Sequence, residues 1–175
     1  MTTVGPIVIT GFMGCGKSEV ARCLAQRLEL AMTDLDELIT RTVGRSPAEL
    51  IQQEGERDFR AIETESLASL LNQQTAGVIA LGGGAWIESV NRDLVKKYQG
   101  TSVWLDTPFA VCWQRITNSS EDRPLGRSEE RAKALYLDRF PTYALAAIRI
   151  EVADFDTPET LAHRIEHELS RQQLS

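Results

Sequence analysis

Gly11-Phe12-Met13-Gly14-Cys15-Gly16-Lys17-Ser18 fits the pattern G-x-x-x-x-G-K-[ST] in full, and the chemistry of that pattern is the binding of a phosphate chain. Gly11, Gly14 and Gly16 allow the backbone to curl around an anion with its N–H groups pointing inward. Lys17 has the reach to bring a point charge to the β- and γ-phosphates, and the Ser18 hydroxyl can serve Mg2+. Phe12, Met13 and Cys15 occupy the free positions and read as packing rather than chemistry, with Cys15 expected to be partly exposed in the loop.

Further along the chain are groups that could handle an acceptor. Asp34-Leu35-Asp36 pairs two carboxylates two residues apart, which on an extended segment would share a face. One could help hold Mg2+ and the other could take or orient a hydroxyl proton, or the pair could be a helix N-cap and a first-turn acid. Phe59-Arg60-Ala61-Ile62-Glu63 sets an Arg beside an aromatic, Gly82-Gly83-Gly84 exposes bare backbone, Arg123-Pro124-Leu125 lies in a polar stretch, and Arg139-Phe140-Pro141-Thr142-Tyr143 closes a helical pattern. Each alone also has an ordinary reading as surface Arg, turn glycine, loop Arg or helix-ending Pro.

These residues need a scaffold, and the hydrophobic pattern supplies one. Strands are expected at Ile7–Thr10, around Leu30–Thr33, at Val78–Leu81, at Thr101–Leu105 and at Ile148–Val152. Helical patterns alternate with them, which makes the chain α/β with a mainly parallel sheet. Val20, Leu24 and Leu28 give the first helix its apolar stripe, and Leu38 and Ile39 the second, which Gly44 ends. Ser46-Pro47-Ala48-Glu49 is a capping box, and Gly55 precedes a helix over about 56–72. Thr107-Pro108 opens a helix to about Ile116, residues 117–130 read as a long mobile surface loop, and a helix follows to about Ala147. Thr157-Pro158 caps the last helix, whose Leu161, Ile165 and Leu169 repeat every four. At the carboxyl end of a strand, Asp34 and Asp36 would face the crevice where open α/β sheets bind ligands.

Composition narrows the rest. A chain of 175 residues fits one domain, and no apolar run approaches the length of a membrane span. The first residues lack the pattern of a signal peptide, so a cytoplasmic protein is expected. A net charge of −6 without a long basic run argues against nucleic acid as a partner. Fifteen of the nineteen basic residues are Arg, the better clamp for planar carboxylates and phosphates. The cysteines Cys15, Cys23 and Cys112 lack metal-ligand spacing, and Cys23 and Cys112 read as small buried hydrophobes. His163 and His167 lie four apart with no third ligand and read as a solvated helix face.

Taken in order, the phosphate loop, Asp-Leu-Asp, Phe-Arg-Ala-Ile-Glu, Gly-Gly-Gly, Arg-Pro-Leu and Arg-x-Pro-x-Tyr resemble the shikimate kinase family, with motifs from residue 7 to about 143. The resemblance implies a single three-layer P-loop kinase domain over 1–175. It would have a central, mostly parallel five-stranded sheet, a substrate-binding helical region over about 34–62 and a mobile lid over about 117–130. It implies ATP-dependent phosphorylation of shikimate in aromatic amino-acid biosynthesis, by a monomer whose partners are ATP, Mg2+ and shikimate.

The same resemblance gives each matching residue a role. Gly14, Cys15, Gly16, Lys17, Ser18 and Glu19 would meet ATP, with Arg115 stacking near the adenine. Ser18 and Asp34 would serve the magnesium. Asp36 would bind the shikimate hydroxyls as the candidate base, and Arg60 and Arg139 would grip its carboxylate. Gly82, Gly83 and Gly84 would line the ring. Arg123, on the lid, would close over the phosphates as a catalytic group beside Lys17 and Asp36.

The chain departs from the family pattern at Glu19, where Thr is frequent, and at Ile51, where an aromatic often borders the substrate. Asp154-Phe155-Asp156 stands in the adenine-loop region without a basic residue. Two other readings remain: a kinase for another small hydroxy acid such as gluconate, and a nucleotide-binding module without catalysis.

Overall fold

The structure, a computed structural model, describes residues 5–73, 77–119 and 128–172. Five strands, β1 (Ile7–Thr10), β2 (Ala31–Asp34), β3 (Gly77–Ala80), β4 (Thr101–Asp106) and β5 (Ile148–Glu151), pair in the order β2-β3-β1-β4-β5, each pair parallel. Burial explains why the pairing is parallel. Successive strand residues point to opposite faces, yet Ile7, Val8, Ile9 and Thr10 of the central strand are all 0% exposed. Both faces are therefore covered, the condition for a parallel sheet. At the β5 edge the pattern relaxes: Ile148 and Ile150 are buried while Arg149 and Glu151 face solvent.

The cover is helical: α1 (Lys17–Leu28), α2 (Leu35–Val43), α3 (Pro47–Glu54), α4 (Glu56–Asn72), α5 (Ser89–Lys97), α6 (Phe109–Asn118), α7 (Glu129–Tyr143) and α8 (Pro158–Gln172). The stripe Val20, Ala21, Leu24 and Ala25 of α1 is buried, and α1 packs along α8, whose Leu161, Ile165 and Leu169 are also buried. The expected stops hold. Gly44 caps α2 in the left-handed conformation, and Ser46 and Glu49 form both bonds of the capping box that starts α3. No helix among the described residues is long and apolar enough to cross a membrane.

Three expectations are corrected. The second strand runs one residue further, to Asp34, and its carboxylate then caps α2. The stretch expected as loop over 117–130 is helical at both ends: α6 continues through Asn118, with Thr117 Oγ1 donating to Trp113 O (3.1 Å), and α7 begins at Glu129. Residues 120–127 lie outside the described residues. The α7 helix stops at Tyr143 rather than near Ala147, because the chain tightens there into i→i+3 bonds from Leu145 N and Ala146 N. The Ala147 N–H then donates to Ser102 Oγ (2.9 Å) as β5 starts.

A 3-10 turn (Ala85–Ile87) and α5 had no counterpart in the sequence reading. Only Asn91 and Val95 of α5 are buried, too little for an aliphatic stripe to announce it.

Candidate functional site

All strands run the same way, so the loops after β1, β2, β3 and β4 gather at one edge of the sheet. The loop after β1 is the phosphate-loop candidate. Gly14 (φ 77°) and Gly16 (φ 93°) sit where L side chains are strained, and a Cβ on Gly14 would lie 2.7 Å from Cys112 O. Gly16 is the N-cap of α1 and offers no side-chain cap, which leaves first-turn N–H groups of α1 to meet an anion. Lys17 Nζ is folded back on its own loop, donating to Gly11 O (3.0 Å) and Phe12 O (2.9 Å). Glu19 is exposed.

Cys15 is 1% exposed rather than partly open, because its side chain turns under Gly11, where a Cβ would lie 2.8 Å from Sγ. Cys112 is buried as expected, whereas Cys23 is only half-buried and turns to Glu159 on α8 (3.7 Å). Phe12 is packed, as read, edge-on against Tyr136 of α7 (5.3 Å).

The outer wall of the loop comes from α6. Arg115 Nη1 donates to Gly14 O (3.3 Å), and Thr107 Oγ1 to Cys15 O (3.4 Å). Beyond β5, Arg164 of α8 donates to Asp156 Oδ2 (3.0 Å) and to Glu151 O (2.9 Å). That turn therefore receives from α8 the cation its own residues lack, while Phe155 stands 85% exposed.

The Asp34–Asp36 pair takes the cap reading. Asp34 Oδ1 accepts from Asp36 N (3.0 Å) and Glu37 N (3.2 Å), a helix N-cap, while Asp34 Oδ2 accepts from Ser18 Oγ. The two acids do not share an extended segment, since the cap turns the chain into α2 at Leu35. The Ser18–Asp34 pair fits Mg2+, a hard ion that takes one or two carboxylate or hydroxyl oxygens and completes its shell with phosphates and water. Among the described residues no group of three or more His, Cys, Asp and Glu could hold a metal by itself. His163 and His167 are both exposed.

The triglycine turn after β3 joins the loop to the acceptor side. It contains no left-handed residue, so its need for glycine is close approach. A Cβ on Gly82 would lie 2.8 Å from Asp36 Oδ1 and 2.9 Å from Glu63 Oε1, and one on Gly83 would lie 3.3 Å from Met13 N of the phosphate loop. One on Gly84 would lie 2.1 Å from Arg60 Nη2. Gly83 O accepts from Arg139 Nη1 (3.2 Å) and Tyr143 Oη (2.5 Å). Asp36, Arg60 and Arg139 are thus brought to one turn, beside the phosphate loop. Arg123 lies outside the described residues, and Ile51 is half-buried against the core.

Gly84→Ala therefore carries a definite expectation. The methyl group displaces a guanidinium that Glu63 (2.7 Å) and Glu56 (3.1 Å) hold in place. A lost charge-assisted hydrogen bond is worth about 1.5–3 kcal/mol, so the acceptor KM should rise about ten- to a hundredfold with kcat changed less. Steady-state kinetics beside a thermal melt check this. An unchanged KM in a folded variant removes Arg60 from the acceptor site.

Two contributors were missed in the sequence. Glu63 is 0% exposed and holds Arg60; burial pushes its carboxyl up to about 7, Arg60 pulls it back, and Asp36 and Glu88 add to the rise. Its spacing of three from Arg60 on one helix was the available signal. Tyr143, 1% exposed, fixes the Gly83 carbonyl, and burial raises its phenol far above the ordinary value. Trp86 Nε1 donates to Thr142 O (3.1 Å) and secures that end of α7.

Comparison with known proteins accords with this geometry. A sequence model described as shikimate kinase matches residues 13–170. A shikimate kinase of Sulfurihydrogenibium sp. is 36% identical over 167 residues, 95% of this chain and 98% of that one. A shikimate kinase of Streptococcus thermophilus is 38% identical over 161 residues, 90% of this chain and 96% of that one. The structure of a shikimate kinase from Acinetobacter baumannii, solved in complex with shikimate, superimposes with a TM-score of 0.91 at 33% identity, covering 99% of this chain and 97% of that one.

Proposed function

The chain belongs to the shikimate kinase family, and on that premise we propose how its residues divide the work. The reaction is transfer of the γ-phosphoryl group of ATP to the 3-hydroxyl of shikimate, a step of aromatic amino-acid biosynthesis. The observation that carries the residue assignment is the triglycine turn. Arg60, Arg139 and Asp36 all lie against it, next to the phosphate loop, which supports two Arg side chains for a carboxylate and one Asp for a hydroxyl.

The loop backbone from Gly14 to Ser18 and the N-terminus of α1 cradle the phosphates, and Glu19 follows at their margin. Lys17 leaves its loop carbonyls to neutralise charge on the β- and γ-oxygens as the phosphoryl group moves. Ser18 and Asp34 would hold the magnesium that accompanies ATP, which would supply further charge neutralisation. Arg115 borders the adenine. Arg60 and Arg139 grip the shikimate carboxylate through their planar forks, and Gly82, Gly83 and Gly84 lie against the ring. Asp36 then accepts the proton of the attacking hydroxyl. Arg123, on a lid over about 117–130, adds charge stabilisation. We further propose a single domain over 1–175 with an acceptor region over about 34–62, acting as a cytoplasmic monomer whose partners are small molecules and not nucleic acid or membrane.

Release of ADP from ATP and Mg2+ by purified protein, with shikimate, gluconate or no acceptor, tests the reading. Shikimate-dependent release is expected. Release driven by gluconate removes the substrate assignment, and ATP binding without acceptor-dependent release revives the non-catalytic module.

A further inference from the structure

Arg60 is shared between two acids. Nη1 meets Glu63 Oε2 at 2.7 Å and Nη2 meets Glu56 Oε1 at 3.1 Å. Glu56 is half open, facing a cleft of about 700 Å3 along α4, whereas Glu63 is 0% exposed and its Oε1 has no hydrogen-bond partner among the described residues. The charges around Glu63 are one-sided. Arg60 is on its own helix, Asp36 of α2 flanks Gly82 opposite it, and Glu88, just before α5, adds a third acid. Arg139 of α7 reaches the same turn but donates to Gly83 O. A substrate carboxylate placed on Arg60 becomes one more anion beside a guanidinium that Glu63, itself 0% exposed, needs.

We propose that binding of the substrate carboxylate is coupled to uptake of a solvent proton by Glu63. The proposal rests on the shikimate reading above. The proton goes to Oε1, where it faces the Asp36 carboxylate across the Cβ-free Gly82, while Oε2 continues to accept from Arg60. Arg60 is then free to turn its charge to the substrate without leaving a buried, ionised acid unpaired.

The sign follows from linkage. Burial already sets the free-protein carboxyl at about 7, and the incoming anion raises it further. Affinity is therefore full below the free value and is lost as pH rises through the bound one, with a limit of about tenfold per pH unit. The shikimate carboxylate contributes nothing here, since such groups are ionised well below pH 6.

Calorimetric titration of the full chain with shikimate at pH 7.5, in phosphate and in Tris, gives the number of protons exchanged. Uptake of a substantial fraction of one proton is expected, with Kd weakening several-fold between pH 7.5 and 8.5. Glu63→Gln should abolish the uptake and flatten the pH profile, whereas Glu65→Gln, at an exposed acid of the same helix, should keep both. Carbon NMR of carboxyl-labelled glutamate supplies a readout without any variant: one carboxyl should titrate near 7 and move upward when shikimate is added. Binding without proton uptake, uptake that survives Glu63→Gln, or no such carboxyl overturns the coupling while leaving the substrate intact. Absence of any binding takes down the shikimate reading and the coupling with it.

Discussion

Lys17→Met is expected to lower kcat by about a thousandfold or more. A single preorganised donor at developing charge is commonly worth about 10²–10³ in rate, and Lys17 adds a full positive charge on a polyanion. The fold should survive. Lys17 gives its loop two bonds to carbonyls, Gly11 O and Phe12 O, and a long one to Cys15 Sγ (3.8 Å); the carbonyl bonds are each worth about 1 kcal/mol net, and methionine keeps the aliphatic stem. Melting should fall by about 4–8 °C at most, at about 2–4 °C per kcal/mol for a chain of this size. Coupled ADP release and a melt on the same preparation separate the two effects. Near-normal turnover in the folded variant would end the phosphate-loop reading. Collapse of the melt with parallel loss of activity would make Lys17 a pin for its loop instead.

The second large effect belongs to Asp36. Asp36→Asn keeps the shape and the backbone N–H that Asp34 caps, and removes the charge. A positioned base contributes about 10²–10⁴ to the rate, so kcat should fall within that range while shikimate KM changes little. Loss of first-turn charge on α2 costs only about 0.3–1 kcal/mol of stability. If KM rises and kcat holds, Asp36 orients the hydroxyls and the base lies elsewhere.

The sequence made the frame legible wherever one face of an element had to be apolar. The β1 run, the stripes of α1 and α8, and the caps at Gly44 and Ser46 all lie where local pattern and burial agree. It did not reveal α5, which buries an Asn and one Val, nor the true end of α7, set by a tightened turn after Tyr143. At the site, spacing singled out Lys17, Ser18, Asp34 and Asp36, and the resemblance added Arg60 and Arg139; the structure brings these six to one side of the sheet. The sequence could not show that Glu63 and Tyr143 support them, because a buried acid on a helix and an aromatic near its end resemble ordinary surface and core residues until the fold closes over them. Nor could it show that Cys15 turns inward, since loop position alone says nothing about what lies beneath it.

The triglycine turn has a pharmacological consequence. A wall made of main chain cannot be remodelled by exchanging side chains, and here an added methyl collides with the Asp36 and Glu63 carboxylates at Gly82 and with Arg60 at Gly84, and crowds the phosphate loop at Gly83. An inhibitor whose contacts are confined to that wall would face few escape mutations, because the substitutions that evict the drug also press on Arg60 and on the Asp36 and Glu63 carboxylates.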